Sequence, residues 1–314
     1  MKTFRNSKNI SKNILATITY YDVFSYPLTA FEIWKYLMRS DYYEEKMDEN
    51  VALQQVFQEL RQEPIIRFVE EHNGFYFLKG KKKLFEKRIG RTKISFSKLR
   101  RLRRVIDILK FAPFVKMIGI TGRLAMKNAE HKSDWDVFVV LKSKHIWTGR
   151  TVMTALAHFI GKRRYGKKIQ DRVCLNYFVT EDGMEISTKD LFSSNEYYFM
   201  YPMFGFEFFR KFQLKNRWIA NIRPNYALSE IEPVDMVFDS FYSRNIRKIG
   251  EWLLDFQFLE NWLGKIEKKK IMRNPKTRQE GGLIQATDQA LVFLPELKGP
   301  RIFDEFKKKI ESLS

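Results

Sequence analysis

Asp134 and Asp136 stand one residue apart at the head of an apolar run, Val137-Phe138-Val139-Val140. In an extended strand, residues two apart point to the same side. The two carboxylates are therefore presented together, with Trp135 facing away. Like charges this close repel, and a hard divalent cation relieves the repulsion. Magnesium held there can bridge triphosphate oxygens and assist in-line attack on the α-phosphorus. Upstream, the short run Lys116-Met117-Ile118-Gly119-Ile120 ends at Thr121-Gly122-Arg123. Gly122 lets the backbone approach phosphates closely, and neighbouring N–H groups can bind them. Arg123 either pairs with phosphate as a charged fork or blocks the site. Ser133, next to the pair, and Arg150, further on, are additional phosphate-binding candidates. An Asp-x-Asp pair can also cap a strand entrance; its place after a strand–Gly–helix–Ser unit favours the chelating role.

The elements that must hold these residues follow from the apolar pattern. KMIGITG reads as a strand, LAMKNAE as a helical turn, HKSD as a polar turn and WDVFVVLK as a second strand. A helix is expected over about 146–162, then strands at RVCLNYFV and MEIST. This alternation indicates an α+β unit with a mixed sheet over 116–225. Trp147 and Arg150 begin the helix, where a base can stack or a phosphate pair, although helix packing also explains such a Trp. Asn176 is the polar residue inside the third strand, and an amide cannot serve as a general base. The loop carrying Lys162, Arg163, Arg164, Lys167 and Lys168 suits either a phosphorylated substrate or a solvated turn.

Residues 1–82 form a different unit. Two helices over 11–38 are separated at Tyr26-Pro27, with Thr29 as a cap. A polar insert at 39–50 follows, then a helix through Val51, Val56 and Leu60. Two strand-like runs, IIRFVEE and GFYFLKG, meet at a tight turn, His72-Asn73-Gly74. Three helices and a β-hairpin make a winged-helix-like arrangement. The polar positions of its third helix are Gln54, Gln55, Gln58, Glu59, Arg61 and Gln62, after an acidic stretch. With so little of the Lys or Arg that phosphate contact needs, structural or partner docking is favoured over DNA binding. Residues 83–115 are a basic linker helix, and the run 79–104 either tracks a nucleic-acid backbone or presents a solvated face. Residues 226–314 read as a helical region: a long apolar stripe from Val234 to Trp262, a basic turn, then two shorter helices.

The chain has 314 residues and a formal charge of +20, from 57 Lys plus Arg against 37 Asp plus Glu. That balance favours nucleic acid, nucleotides or an anionic membrane surface, unless it reflects a Lys-rich composition throughout the source genome. One cysteine, Cys174, excludes an internal disulfide or a thiolate cluster and reads as a buried structural thiol. No segment reaches the roughly 18 apolar residues of a membrane span. With no signal-peptide pattern at the N-terminus, a cytoplasmic location with no membrane partner is expected.

The stretch Ile120–Met126 followed by Ser133–Val140 resembles the signature of the DNA polymerase beta-like nucleotidyltransferase superfamily, in which Gly-Ser is followed about ten residues later by Asp-x-Asp entering a hydrophobic strand. The chain is similar to bacterial nucleotidyltransferase-domain proteins of uncharacterised substrate. Tyr21-Asp22-Val23-Phe24-Ser25-Tyr26-Pro27-Leu28, Gly74–Leu78 and Cys174–Phe178 carry that likeness. The resemblance implies a nucleotidyltransferase-type mixed-sheet core between a winged-helix-like N-terminal part and a C-terminal helical region. It implies Mg2+ on Asp134 and Asp136, with an NTP as substrate. Two positions depart from the pattern: Arg123 replaces the serine, and the third carboxylate expected on a later strand is missing, with Asn176 the polar residue there. Two functions compete. One is Mg-dependent transfer of a nucleoside monophosphate from an NTP to an unknown acceptor. The other is a catalytically inactive relative that binds nucleotide or nucleic acid as a regulatory module.

Overall fold

The computed structural model describes residues 2–39, 51–226, 235–275 and 281–313. Ile10, Ile14, Ile18 and Tyr21 recur at helical spacing, are all buried, and form the inner face of helix α1, Lys2–Val23. The chain turns at Tyr26-Pro27, makes a short strand β1, Leu28–Thr29, and enters α2, Ala30–Lys35. Thr29 caps that helix: its hydroxyl accepts from the Glu32 N–H, and the Glu32 carboxylate accepts from the Thr29 N–H at 2.9 Å. Helix α3, Leu53–Glu59, follows. The polar insert lies, from residue 40 to 50, outside the described residues.

The run IIRFVEE, expected as one strand, divides. Pro64 starts a helical turn, α4, Ile65–Phe68, and only Val69–His72 is extended, as β2. Proline favours a helix start because its fixed φ suits the first turn and its missing N–H is not needed there. The hairpin with β3, Phe75–Leu78, is as expected, with Asn73 and Gly74 at positive φ. The three strands pair antiparallel in the order β1-β3-β2.

Helix α5, Leu84–Leu109, splints this part to the next. Its first half ties to the N-terminal elements, with Arg88 on Glu32 at 2.6 Å. Its second half, through Leu102, Val105, Ile106 and Leu109, joins the core of the main sheet. That sheet begins with β4, Val115–Ile120. The single turn α6, Gly122–Ala125, leads to β5, Trp135–Leu141. Val137 to Leu141 are buried without a break, so β5 is covered on both faces. Helix α7, Ile146–Phe159, makes the crossover that a parallel partner requires, and β6, Val173–Thr180, pairs parallel to β5. Helix α8, Leu191–Tyr198, precedes β7, Tyr201–Phe204. Helices α9, Phe206–Lys215, and α10, Ile219–Ile222, follow.

MEIST is not a strand among the described residues. Met184 and Ile186 are buried, but the Asn216 side chain satisfies the backbone, accepting from the Ile186 N–H and donating to the Met184 carbonyl, both at 2.9 Å. After α11, Phe241–Leu254, the first half of the basic stretch expected as a turn, 265–273, belongs instead to helix α12, Gln257–Arg273. The expected helical continuation is also interrupted: Leu283–Ala286 and Ala290–Leu294 form a hairpin, β8 and β9. Buried Ala290, Leu291 and Val292 explain it, since β9 takes the open edge of β6. The finished sheet is mixed and six-stranded, in the order β7-β4-β5-β6-β9-β8. Helix α13, Lys298–Glu311, then returns to α1, burying Ile302 and Phe306 in the N-terminal core. The protein is thus α+β, and its last segment belongs structurally to both its sheet and its first helix.

Candidate functional site

Trp135 opens β5 fully buried in the core that faces α7, so Asp134 and Asp136 turn to the other side. Their carboxylate oxygens and the Cys174 sulfur lie within 4.8 Å of one another. Cys174 stands opposite Asp136 in the parallel register. Gly122 closes on this group from the β4–α6 turn at φ +67°, and a Cβ built on it would meet Asp136 Oδ2 at 2.7 Å. Only glycine fits both the angle and the approach.

A third carboxylate arrives from outside the strands. Asp190 caps α8, accepting from the Ser193 N–H at 2.6 Å, and the helix carries Glu196 to the Gly122 N–H, from which its carboxylate accepts a hydrogen bond. Burial, and then the neighbouring Asp136 charge, push the Glu196 carboxyl up to about 7. Burial, and then Asp134, push Asp136 up to about 6. Lys298, the first residue of α13, pulls both back toward ionisation. Gly122, Asp136, Asn176, Glu196 and Lys298 line one cleft of about 370 Å³, walled on its apolar side by Phe138, Tyr177 and Tyr197.

Asp134 does not line that cleft. Its carboxylate accepts a hydrogen bond from Arg164 Nη1 at 2.6 Å, and the same nitrogen lies 3.2 Å from the Cys174 sulfur. Burial drives the Cys174 thiol up to about 12, so it stays protonated, as suits a structural thiol. The donor set suits a hard divalent cation in its two aspartates, whose oxygens converge from adjacent positions, with water or phosphate filling the remaining places. A protonated thiol contributes little to such an ion.

The other expected phosphate ligands lie elsewhere. Arg123 is half-exposed and pairs with Glu130 at 2.8 Å. Ser133 is part of a turn, its hydroxyl donating to the Glu130 carbonyl at 2.8 Å. Arg150 is bound to Glu267 and lies over the Phe293 ring. The start of α7 is filled by the protein's own Glu260, which accepts from the Trp147 and Thr148 N–H groups at 2.8 and 2.9 Å. Trp147 donates its indole N–H to Asp288 and packs on Gly264, the packing role of such a Trp. Asn176 lines the cleft, yet Cys174 is the β6 residue that touches the pair. In the basic run 79–104, Lys81, Arg88, Arg91 and Lys98 are all engaged with carboxylates of the chain itself.

Glu196 and Lys298 were missed because a third carboxylate was sought on a strand and the last segment was read as a separate region. The available signal was Asp190-Leu191-Phe192-Ser193, a helix cap that sends the next helix back toward the sheet. Comparison of the chain with protein-family models, with curated proteins and with solved structures finds no match.

Proposed function

We propose that this chain is a nucleotidyltransferase-like protein with a polymerase beta-type core and a winged-helix-like N-terminal part. It transfers a nucleoside monophosphate from an NTP to an acceptor, with Mg2+ held by Asp134 and Asp136. One observation carries the reading: the two aspartates converge, Asp136 lies against the Gly122 turn, and Glu196 brings a third carboxylate to the same turn. When bound, the metal would neutralise the carboxylates and the triphosphate oxygens they face. The chain's own residues do the rest. Gly122 lets Asp136 and Glu196 close on the turn, and Lys298 offers a cation inside the cleft. With a pKa of about 7, Glu196 is poised to accept the proton that an acceptor hydroxyl gives up. The aromatic wall suits the flat face of a base or an apolar acceptor.

The test is purified full chain with labelled ATP, GTP, CTP and UTP and Mg2+. Binding and transfer are expected, both lost in Asp134→Ala. Equal behaviour of wild type and Asp134→Ala would sink the proposal.

A second reading has its own support. Arg164 already neutralises Asp134, and a thiol stands where a third strand carboxylate is expected. Both suit a non-catalytic relative that binds nucleotide or nucleic acid without metal. It predicts salt-sensitive binding that Asp134→Ala leaves intact, with no transfer in either protein.

A further inference from the structure

Helix α11 is mounted with its polar side inward. Ser243 is buried and its hydroxyl donates to Asp239 at 2.7 Å. Arg247 donates to the Lys110 carbonyl at 2.9 Å and to Asp239. Glu251 accepts from the Phe114 N–H at 3.1 Å, and Gly250 packs on Pro113. Arg247, Gly250 and Glu251 fix the helix to the body. Its opposite face is apolar and open to solvent. Phe241, Tyr242, Ile246, Ile249, Trp252 and Leu253 recur at helical spacing, and Trp252 is 77% exposed and Tyr242 75%. The exposed apolar series continues into the next helix with Phe256, Phe258 and Trp262. A soluble helix ordinarily turns such a stripe to the core, so this one is kept for something else.

Charge decides what covers it. Arg244 and Lys248 are exposed beside the stripe, and Lys265 and Lys269 are exposed further along α12. The whole chain carries +20. A second copy laid face to face would bring together two strongly basic bodies, each with Arg244 and Lys248 exposed beside the stripe and no exposed acid on α11 to answer them. An anionic lipid surface answers both features at once: its headgroups pair with the cations, and its acyl boundary takes the aromatic and aliphatic side chains. Tryptophan and tyrosine suit that boundary because each has an apolar body and a polar tip. We infer that α11 and the start of α12 form a docking face that lies on an anionic membrane surface. No spanning segment is required, and among the described residues no helix is long and apolar enough to be one. The expectation of no membrane partner rested on the lack of a span and of a signal-peptide pattern, and neither bears on this mode.

The test is co-sedimentation of the full chain with vesicles of phosphatidylcholine, alone or mixed with phosphatidylglycerol. Quenching of tryptophan fluorescence by bromine-labelled acyl chains is read in parallel. Binding is expected with the mixed vesicles and quenching with it, and binding is expected to weaken as salt rises. The double substitution Ile249→Ser with Trp252→Ser should lower partitioning about tenfold or more while leaving the circular dichroism spectrum unchanged. Arg244→Ser with Lys248→Ser should remove part of the binding and part of its salt dependence. Three results would overturn the inference: no sedimentation with anionic vesicles, unaltered binding by the Ile249/Trp252 variant, or a dimer in sedimentation velocity that the same variant dissolves.

Discussion

Lys98 and Glu196 are both ionisable side chains drawn in from solvent, and the fold treats them in opposite ways. Lys98 is fully buried, and its ammonium donates to the His131 and Ser133 carbonyls and to Asp171 at 2.8–2.9 Å. Asp171 is held in turn by Arg101. Every proton of that ammonium has an acceptor, and its charge has a counter-charge. Glu196 accepts from the Gly122 N–H and from the Thr121 side chain, and it faces a second carboxylate, Asp136, which faces a third, Asp134. Lys298 offsets this crowding only in part, since both carboxyls remain raised. Buried charge that is fully compensated ties elements together; here it locks α5 to the loop ahead of β6. Buried charge left in excess costs stability and persists where a ligand completes it.

Removing one partner of the compensated cluster should have the largest effect. Lys98→Met keeps most of the volume but leaves Asp171 with Arg101 alone and strands two carbonyls, and about 2–4 kcal/mol of stability should be lost in urea unfolding. Adding Asp171→Asn to it should recover part of that loss. A loss under about 1 kcal/mol would mean that the cluster is not structural and would remove one half of the contrast.

The excess-charge cluster should respond with the opposite sign. The Glu196 carboxyl is raised from 4.5 to about 7, so the folded state holds its proton more tightly than the unfolded state does. Stability is therefore highest below the unfolded pKa, falls as pH rises between the two values, and carries the full penalty above about 7. Glu196→Gln should stabilise the chain by about 1–3 kcal/mol near pH 8 and change little near pH 4, read by thermal unfolding across pH. Millimolar Mg2+ should raise the wild-type melting temperature at the higher pH and do nothing for Asp136→Asn. A Glu196→Gln variant that is less stable than wild type near pH 8 would mean the carboxylate is as well paired as Lys98.

Gly122→Ala should cost less, about 1–2 kcal/mol, from positive φ and from contact with Asp136. Its clearer mark would be lost Mg2+ affinity in titration calorimetry, because the new Cβ occupies the approach to Asp136 Oδ2. Unchanged affinity would detach the glycine turn from the carboxylate site.

How far the sequence carries depends on the range of the interaction. Asp134, Asp136 and Gly122 could be read because strand alternation and a glycine turn are local rules. The strands at 115–120, 135–141 and 173–180 followed from apolar runs for the same reason. Glu196 could not be read that way, since its partner lies 74 residues away and only the path of α8 joins them. Lys298 depends on β8 and β9 closing the sheet, and that hairpin was hidden in a segment whose Leu, Val and Phe suit helix and strand alike. Arg150 looked like a phosphate ligand at a helix start, because nothing local indicates that Glu267 pairs with it and Glu260 fills that start, both more than 100 residues on. In the basic run 79–104 the period was visible, but the acids that pair with its buried members Arg88, Arg91 and Lys98 come from distant segments.

The smallest expected effect tests the contrast at its edge. Arg123 is next to Gly122 in sequence but half-exposed, with Glu130 as its partner, and Glu130 is also held by Arg91. An exposed pair whose acid has a second cation contributes little, so Arg123→Ala should change stability by less than about 0.5 kcal/mol. Because Arg123 does not line the cleft, nucleotide affinity should also stay within error of wild type. Arg164→Ala differs in kind, since it frees the Asp134 carboxylate from its counter-ion and should strengthen Mg2+ binding a few-fold at low salt. If Arg123→Ala abolished nucleotide binding and Arg164→Ala left Mg2+ affinity unchanged, the cation serving this site would be the one adjacent in sequence. Arg123 would then have to leave Glu130 when ligand arrives, and the resting ion pairs would no longer separate scaffold from site.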